Sequence, residues 1–393
     1  MDERTETNHP FLHEDGTAPA DVTAFHYDGK LGEIARIWLR NLLLGIVTLG
    51  IYRFWGMTRL RRYFWSRLAL DGERFEYDGT GMELFKGFLV SLLVLVPLAL
   101  LPQLLILSGN AWVIGIGVLA VMLGIYWVIF FAYYAGRRYR MSRTRWSGIR
   151  MGMDGSAVSF GWLGLRTSLL TVITFSLYLP WQAVRLWEAE ADTMRLGSHR
   201  FFYHPSTKGL IRRFMAGHLF VAVLAVAGLV GLGAWQVSML QAMKETGVPP
   251  NQILVVAVTY GGIFGFILVQ SVLMAPYQAA WLANRVTRTR IEVARPATSP
   301  RMLMGGGAQA RSVTFAWHGG TWALWRLGIG NLLISVLTLG TGSAFVMHRT
   351  LAFLTRGVTV TGAAQLTEVT QLAGVDAPRT EAFADAFDLS GGL

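Results

Sequence analysis

Asn41 and Asn331 stand among leucines, where hydrocarbon cannot satisfy a side-chain amide and a partner on another helix must do so. Two chemistries fit such residues: holding helices together, or coordinating a solute. A Thr-Leu-Gly triplet follows each, with Thr48 and Gly50 in one copy and Thr338 and Gly340 in the other. Glycine weakens a helix and a threonine hydroxyl satisfies a freed carbonyl, so each triplet is a candidate helix break, and a kink in an ordinary packed helix is the alternative. Arg59, Arg61, Arg62 and Arg67 interleave with Tyr63, Phe64 and Trp65. On an interfacial helix these residues would grip lipid headgroups, with Trp65 as the aromatic anchor; recognition of an anionic ligand is the alternative. Residues of catalysis are missing from the pattern. The eight histidines are scattered without metal-ligand spacing, Cys is absent, and neither a Ser-His-Asp set nor a phosphate-binding loop is visible. No catalytic, cofactor-binding or metal-binding residue is therefore expected, and the protein reads as non-enzymatic.

The elements that must position these residues are apolar runs. Hydrophobic residues make up 53% of the chain and charged ones only 15%, a balance far from that of soluble domains. Residues 87–107, 111–134, 217–240 and 253–276 each run about 20 residues without a charge, enough for a helix to cross a hydrocarbon core of about 30 Å. They pair as two hairpins. The turns, Ser108-Gly109-Asn110 and the stretch 241–251, hold almost no Lys or Arg, whereas Lys86, Arg137, Arg138, Arg212, Arg213, Arg285 and Arg288 flank the outer ends. That asymmetry places the basic loops in the cytoplasm. The four runs contain neither Asp nor Glu, which argues against proton-coupled pumping. Gly261 with Gly265, and Gly115-Ile116-Gly117, are read as close helix packing.

Three further runs, 34–55, 158–181 and 323–346, are ambiguous. In the first, only NLLLGIVTLGIY separates Arg40 from Arg53, about 18 Å as helix, which is short for a crossing. If 158–181 crossed, the basic loops on either side of it would face opposite compartments. Four spanning helices with three re-entrant or interfacial segments are therefore expected, and seven spans are the alternative.

The three segments also repeat. At one constant offset Phe25, Gly29, Arg36, Asn41, Leu42, Leu43, Thr48, Leu49, Gly50, Arg59 and Gly72 meet Phe315, Gly319, Arg326, Asn331, Leu332, Leu333, Thr338, Leu339, Gly340, Arg349 and Gly362. A weaker echo relates Asp28, Gly29, Thr48, Tyr52, Trp55, Phe75 and Tyr77 to Asp154, Gly155, Thr174, Tyr178, Trp181, Phe201 and Tyr203. Alternations such as Thr23, Phe25, Tyr27 predict short strands, and Asp71-Gly72 predicts a two-residue hairpin turn. The expected fold is thus membrane all-α and multi-pass, with short cytoplasmic β-strands pooled in a small sheet. Its expected divisions are an acidic disordered tail at 1–21, repeat units at 22–141 and 142–290 that each carry a helical hairpin, a linker at 291–310, a third unit without a hairpin at 311–362, and an acidic tail at 363–393.

The run NLLLGIVTLGIYRFWGMTRLRRYFWSRLALDGERFEYDGTGMELFKG resembles the YjgN family of bacterial inner-membrane proteins, defined by a domain of unknown function. The resemblance implies an inner-membrane location and no established activity. The second unit departs from the pattern, with Thr167 in place of the asparagine. Membrane lipids are the expected partners, and the net charge of +11 is read as topology and lipid attraction rather than nucleic-acid binding. The functional expectation is a transporter, channel or sensor for a small solute or lipid; the alternative is an envelope-organising protein whose basic cytoplasmic face docks a partner or anionic lipid.

Overall fold

The computed structural model describes residues 22–247, 251–293, 312–363 and 366. Within them one plan recurs five times: a short strand, a helical hairpin and a second strand. The first unit is β1 (Val22–Tyr27), α1 (Leu31–Val47), α2 (Arg53–Ser66) and β2 (Leu68–Leu70). The second is β3 (Glu73–Tyr77), α3 (Gly81–Ile106), α4 (Ala111–Ser142) and β4 (Thr144–Trp146), and the third is β5 (Ile149–Met153), α5 (Ala157–Ile173), α6 (Leu179–Ala191) and β6 (Met194–Leu196). The fourth is β7 (His199–Tyr203), α7 (Leu210–Thr246), α8 (Gln252–Arg288) and β8 (Thr289–Glu292), and the fifth is β9 (Ser312–Trp317), α9 (Thr321–Leu337), α10 (Ser343–Gly357) and β10 (Val358–Thr361).

The all-α expectation is overturned here. The strands close into a ten-stranded antiparallel barrel, in which β1 pairs with both β2 and β10. A sheet of strands three to six residues long leaves unpaired edges unless it closes, and closure removes them. Inward-facing residues fill the barrel: Leu70, Trp146, Leu196, Ile291, Val313 and Val360 form one cluster, with Phe25, Phe75, Phe201 and Phe315 packed against it. The barrel is a hydrophobic core and not a pore. Ala363 and Leu366, within the stretch expected to be an acidic tail, are each about 1% exposed and belong to this cluster. Ile291 and Glu292, from the expected linker, lie in β8. The tail at 1–21 and the remainder of the linker and the C-terminal tail fall outside the described residues.

All five helical hairpins leave the same rim of the barrel, because each joins the end of one strand to the start of its antiparallel neighbour. The same backbone hydrogen bond closes every root: Asp28 N–H to Arg67 O at 3.1 Å, Asp78 to Arg143 at 2.9 Å, Asp154 to Thr193 at 2.9 Å, His204 to Arg288 at 3.0 Å and His318 to Gly357 at 2.8 Å. At the other rim two-residue turns join the first unit to the second, the second to the third and the third to the fourth. In the first of these, Asp71 and Gly72 adopt φ of 53° and 81° between the paired residues Leu70 and Glu73, the backbone that Asp-Gly tolerates.

Two hairpins are long and three are short. α3, α4, α7 and α8 are long and apolar enough to cross a membrane. Their starts carry helix-end chemistry: Thr80 caps α3 by accepting from Glu83 N–H at 3.3 Å, and Asn110 caps α4 by accepting from Trp112 N–H at 2.9 Å. The short hairpins, α1/α2, α5/α6 and α9/α10, turn back at their tips, and both ends of each return to the barrel rim. Helices also close a ring, since neighbouring hairpins touch and α10 packs against α1. Around that ring the lengths run short, long, short, long, short, so the two short hairpins at the ends of the chain meet at one seam.

The glycine readings divide. A Cβ on Gly117 would strike the Leu105 side chain, so α4 and α3 do approach closely there. No atom lies within 4 Å of a Cβ placed at Gly115, Gly261 or Gly265, so the expected close packing is not made at those positions.

Candidate functional site

The short-hairpin tips share one construction. Thr48 Oγ1 donates to Leu44 O at 2.7 Å and accepts from Tyr52 N–H at 2.9 Å, which ends α1 and caps the start of α2 with one hydroxyl. Between them Leu49 and Gly50 take φ of 52° and 88°, and Gly50 N–H reaches back to Gly45 O at 2.7 Å. Thr338 does the same, donating to Ile334 O at 2.6 Å and accepting from Gly342 N–H at 2.9 Å, with Leu339 and Gly340 at 48° and 80°. The third hairpin uses Thr174, with Ser176 at φ 68° in the place of the glycine. These breaks are therefore chain reversals, sharper than a kink.

Each expected amide works inside its own hairpin. Asn41 Nδ2 donates to Gly56 O at 3.2 Å, and a Cβ on Gly56 would lie 3.0 Å from Asn41 Cγ, so the missing side chain lets α1 approach α2. Asn331 Nδ2 donates to Thr350 Oγ1 at 3.1 Å. In the third hairpin the clamp is reversed: Gln182 on α6 donates to Ser168 Oγ at 2.9 Å and accepts from Thr171 Oγ1 at 2.8 Å. Asn41 Oδ1 and Asn331 Oδ1 are buried with no hydrogen-bond partner among the described residues.

The basic and aromatic residues of α2 engage protein. Arg61 is 5% exposed and donates to Tyr77 Oη at 3.2 Å, with its guanidinium over the Tyr77 ring. Arg62 donates to Gly79 O at 2.8 Å, and Arg67 pairs with Glu33 at 2.9 Å. Trp65 Nε1–H donates to Thr144 Oγ1 at 3.0 Å, and Arg59 lies over the Tyr52 ring at 5.8 Å. Four of these five side chains thus tie α2 and the residue that follows it to α1, β3, the link between β3 and α3, or β4.

A cavity of about 690 Å³ opens at the seam between the first and last hairpins. Its apolar wall includes Leu42, Ile46, Met57, Phe64 and Met347, and its polar groups are Asn41, Arg53, Arg61, Thr341 and Ser343. Of the residues singled out in the sequence, Asn41, Gly50, Gly340 and Arg61 line it, whereas Thr48, Asn331, Thr338, Arg59, Arg62, Trp65 and Arg67 do not. The seam is held by long-range contacts. Trp38 Nε1–H donates to Thr341 O at 2.8 Å, Trp38 meets Phe345 edge-on, and Tyr27 Oη is hydrogen-bonded to His348 Nδ1 at 2.8 Å. Burial raises the Tyr27 hydroxyl above its usual range and lowers the His348 imidazole below its own, so both stay neutral near pH 7. Sequence reasoning missed Trp38, Arg53 and Met347 as cavity residues, since nothing local reports which hairpins become neighbours. The matching Tyr27-Asp28-Gly29 and Tyr77-Asp78-Gly79 could have revealed the equivalence of short and long hairpins.

A family described as a bacterial protein of unknown function, DUF898, matches residues 22–387. The chain is 28% identical over 153 residues to the inner membrane protein YjgN of Salmonella typhimurium, covering 39% of this chain and 37% of that protein. It is 27% identical over 155 residues to inner membrane protein YjgN of Escherichia coli K12, covering 39% and 36% respectively. The chain therefore aligns with little over a third of the length of the curated relatives it matches. No solved structure matches it.

Proposed function

This chain belongs to the bacterial family of unknown function DUF898, and on that premise we propose that it is an integral inner-membrane protein that binds a small amphiphilic solute or lipid at the seam between its first and last hairpins. The observation that carries this reading is the cavity of about 690 Å³, within the size range of small-molecule sites and reaching the level of Asn41. The location is supported by four helices of spanning length and by relatives that are inner membrane proteins. In this reading the barrel and the basic hairpin roots face the cytoplasm, as the arginines flanking the long helices favour. The three short hairpins enter the membrane from that side and return, burying the apolar tips Leu49, Phe175 and Leu339, which are 94%, 86% and 92% exposed. The reading is one of binding, with carriage or sensing as its consequence, and it assigns no catalytic step. Because the barrel axis is packed, a solute would move along the seam and not through the barrel.

The test fills the cavity. Gly45 lines it, and a Cβ there meets nothing within 4 Å, so Gly45→Phe adds bulk without a backbone clash. Native mass spectrometry of protein released from nanodiscs of bacterial lipid is expected to show a retained amphiphile that the variant loses. Equal retention by both proteins removes the cavity as the site.

A further inference from the structure

We propose that the hairpins carry a collar of lipid seats at the membrane surface, four of which select an anionic phospholipid by a cation and a leucine placed two helical turns apart. The collar shares no residue with the seam cavity and stands independently of it.

The hairpin roots set the register. Eight positions beyond Asp28, Asp78, His204 and His318, whose N–H groups make the same closing hydrogen bond, stand Arg36, Lys86, Arg212 and Arg326. All four are exposed, and among the described residues none of them makes a hydrogen bond or an ion pair through its side chain. The acidic residues at the starts of α1 and α3 are engaged elsewhere, Glu33 with Arg67 at 2.9 Å and Glu83 with Arg143 at 3.0 Å. Seven positions beyond each cation comes an exposed leucine: Leu43, Leu93, Leu219 and Leu333. In the third hairpin the same two places, counted from Asp154, hold Trp162 and Leu169, both exposed, with the exposed Arg166 one turn beyond the tryptophan. Long and short hairpins keep this register alike, so it marks a level common to the whole molecule.

Seven residues are two turns, so each cation and its leucine share one helix face, about 10 Å apart. That step leads from the headgroup layer of a leaflet into its hydrocarbon. The leucine rests on an acyl chain, and the cation below it meets the phosphate. A zwitterionic headgroup offsets its phosphate with its own ammonium, whereas an acidic phospholipid keeps its net charge, and this difference names the partner. Trp162 suits the same boundary, where indoles concentrate. The arginines clustered in and just after α2 are taken up by Tyr77, Gly79 and Glu33, so it is the isolated cations of the first helices that remain for lipid.

The experiment places the full chain in phosphatidylcholine bilayers and reads, from the immobilised fraction of a trace spin-labelled lipid, its preference for phosphatidylglycerol over phosphatidylcholine. Wild type is expected to prefer phosphatidylglycerol about fivefold, the ratio that the attraction of one Lys or Arg to an acidic headgroup gives. Combining Arg36→Gln, Lys86→Gln, Arg212→Gln and Arg326→Gln is expected to remove the preference, and combining Arg36→Lys, Arg212→Lys and Arg326→Lys to keep it. Lys86→Gln with Arg212→Gln should lower it, whereas Arg200→Gln with Arg290→Gln, the same loss of charge at exposed positions of the barrel wall, should leave it unchanged. No preference in wild type, or an unchanged one in the fourfold glutamine variant, overturns the proposal. Equal loss in the two double variants also overturns it, because net charge and not the collar then sets the choice. Loss of the preference in Gly45→Phe assigns it to the cavity, which overturns the collar and leaves the cavity reading standing.

Discussion

The indole N–H of Trp38, in the first helix, donates to the carbonyl of Thr341, in the tip of the last hairpin, at 2.8 Å. This contact closes the helical ring where the first and last hairpins meet, and both residues line the cavity. Trp38→Phe keeps the ring against Phe345 and removes only the donor. A loss of about 0.5–1.5 kcal/mol is expected, read as a lower thermal midpoint in detergent.

The same seam is expected to respond to acid. The folded value of His348 is depressed below its ordinary 6.5, so the unfolded chain takes up a proton first. The stability His348 contributes is present in full above 6.5 and is lost as pH falls through the folded value. Thermal midpoints measured between pH 8 and pH 5 should fall for wild type and fall less for His348→Asn. Asp28, whose carboxyl the Arg74 guanidinium holds below the usual range, adds its own loss only at lower pH.

Backbone strain at the tips makes a paired prediction. Gly340 takes φ of 80° with open space around its Cβ position, so Gly340→Ala should cost about 1 kcal/mol through backbone conformation alone. Ser176 occupies the corresponding place in the third hairpin at φ 68°, so Ser176→Gly should stabilise by about 0.5 kcal/mol. Opposite signs in chemical or thermal unfolding check the shared tip construction.

Glu190 on α6 is 2% exposed and ties the third hairpin to the second. It is ion-paired with Arg137 on α4 and accepts from Tyr133 Oη at 3.1 Å, while Arg285 on α8 stacks 3.8 Å over the Trp187 ring beside it. Glu190→Gln removes the buried carboxylate that pairs with Arg137 and should cost about 3 kcal/mol. Combining Glu190→Leu with Arg137→Met should recover most of that loss, which a double-mutant cycle would read.

Topology is accessible because the chain has no cysteine. Ser108→Cys lies at the tip of the second hairpin, whereas Ser147→Cys and Arg200→Cys flank the third. An impermeant thiol reagent should label Ser108→Cys from outside the cell, and the other two only after permeabilisation. Labelling of Ser147→Cys and Arg200→Cys from opposite faces would mean that the third hairpin spans.

The amino-acid sequence alone determined the parts whose signals are local and long. Uncharged runs such as 217–240 lie within α7, because a spanning helix announces itself through some twenty consecutive side chains. Asp71-Gly72 announced its turn through the φ values those two residues tolerate. Tertiary structure alone decided the barrel: strands such as Leu68–Leu70 are too short to carry an alternation, and closure depends on β10 meeting β1 across the whole chain. It also decided what the arginines do. A guanidinium is satisfied equally by a lipid phosphate, the Gly79 carbonyl or the Glu33 carboxylate, so residue type names the bond and only proximity names the partner. The cavity followed the same rule, since Asn41 and Gly340 share it only because the barrel brings the first and last hairpins side by side.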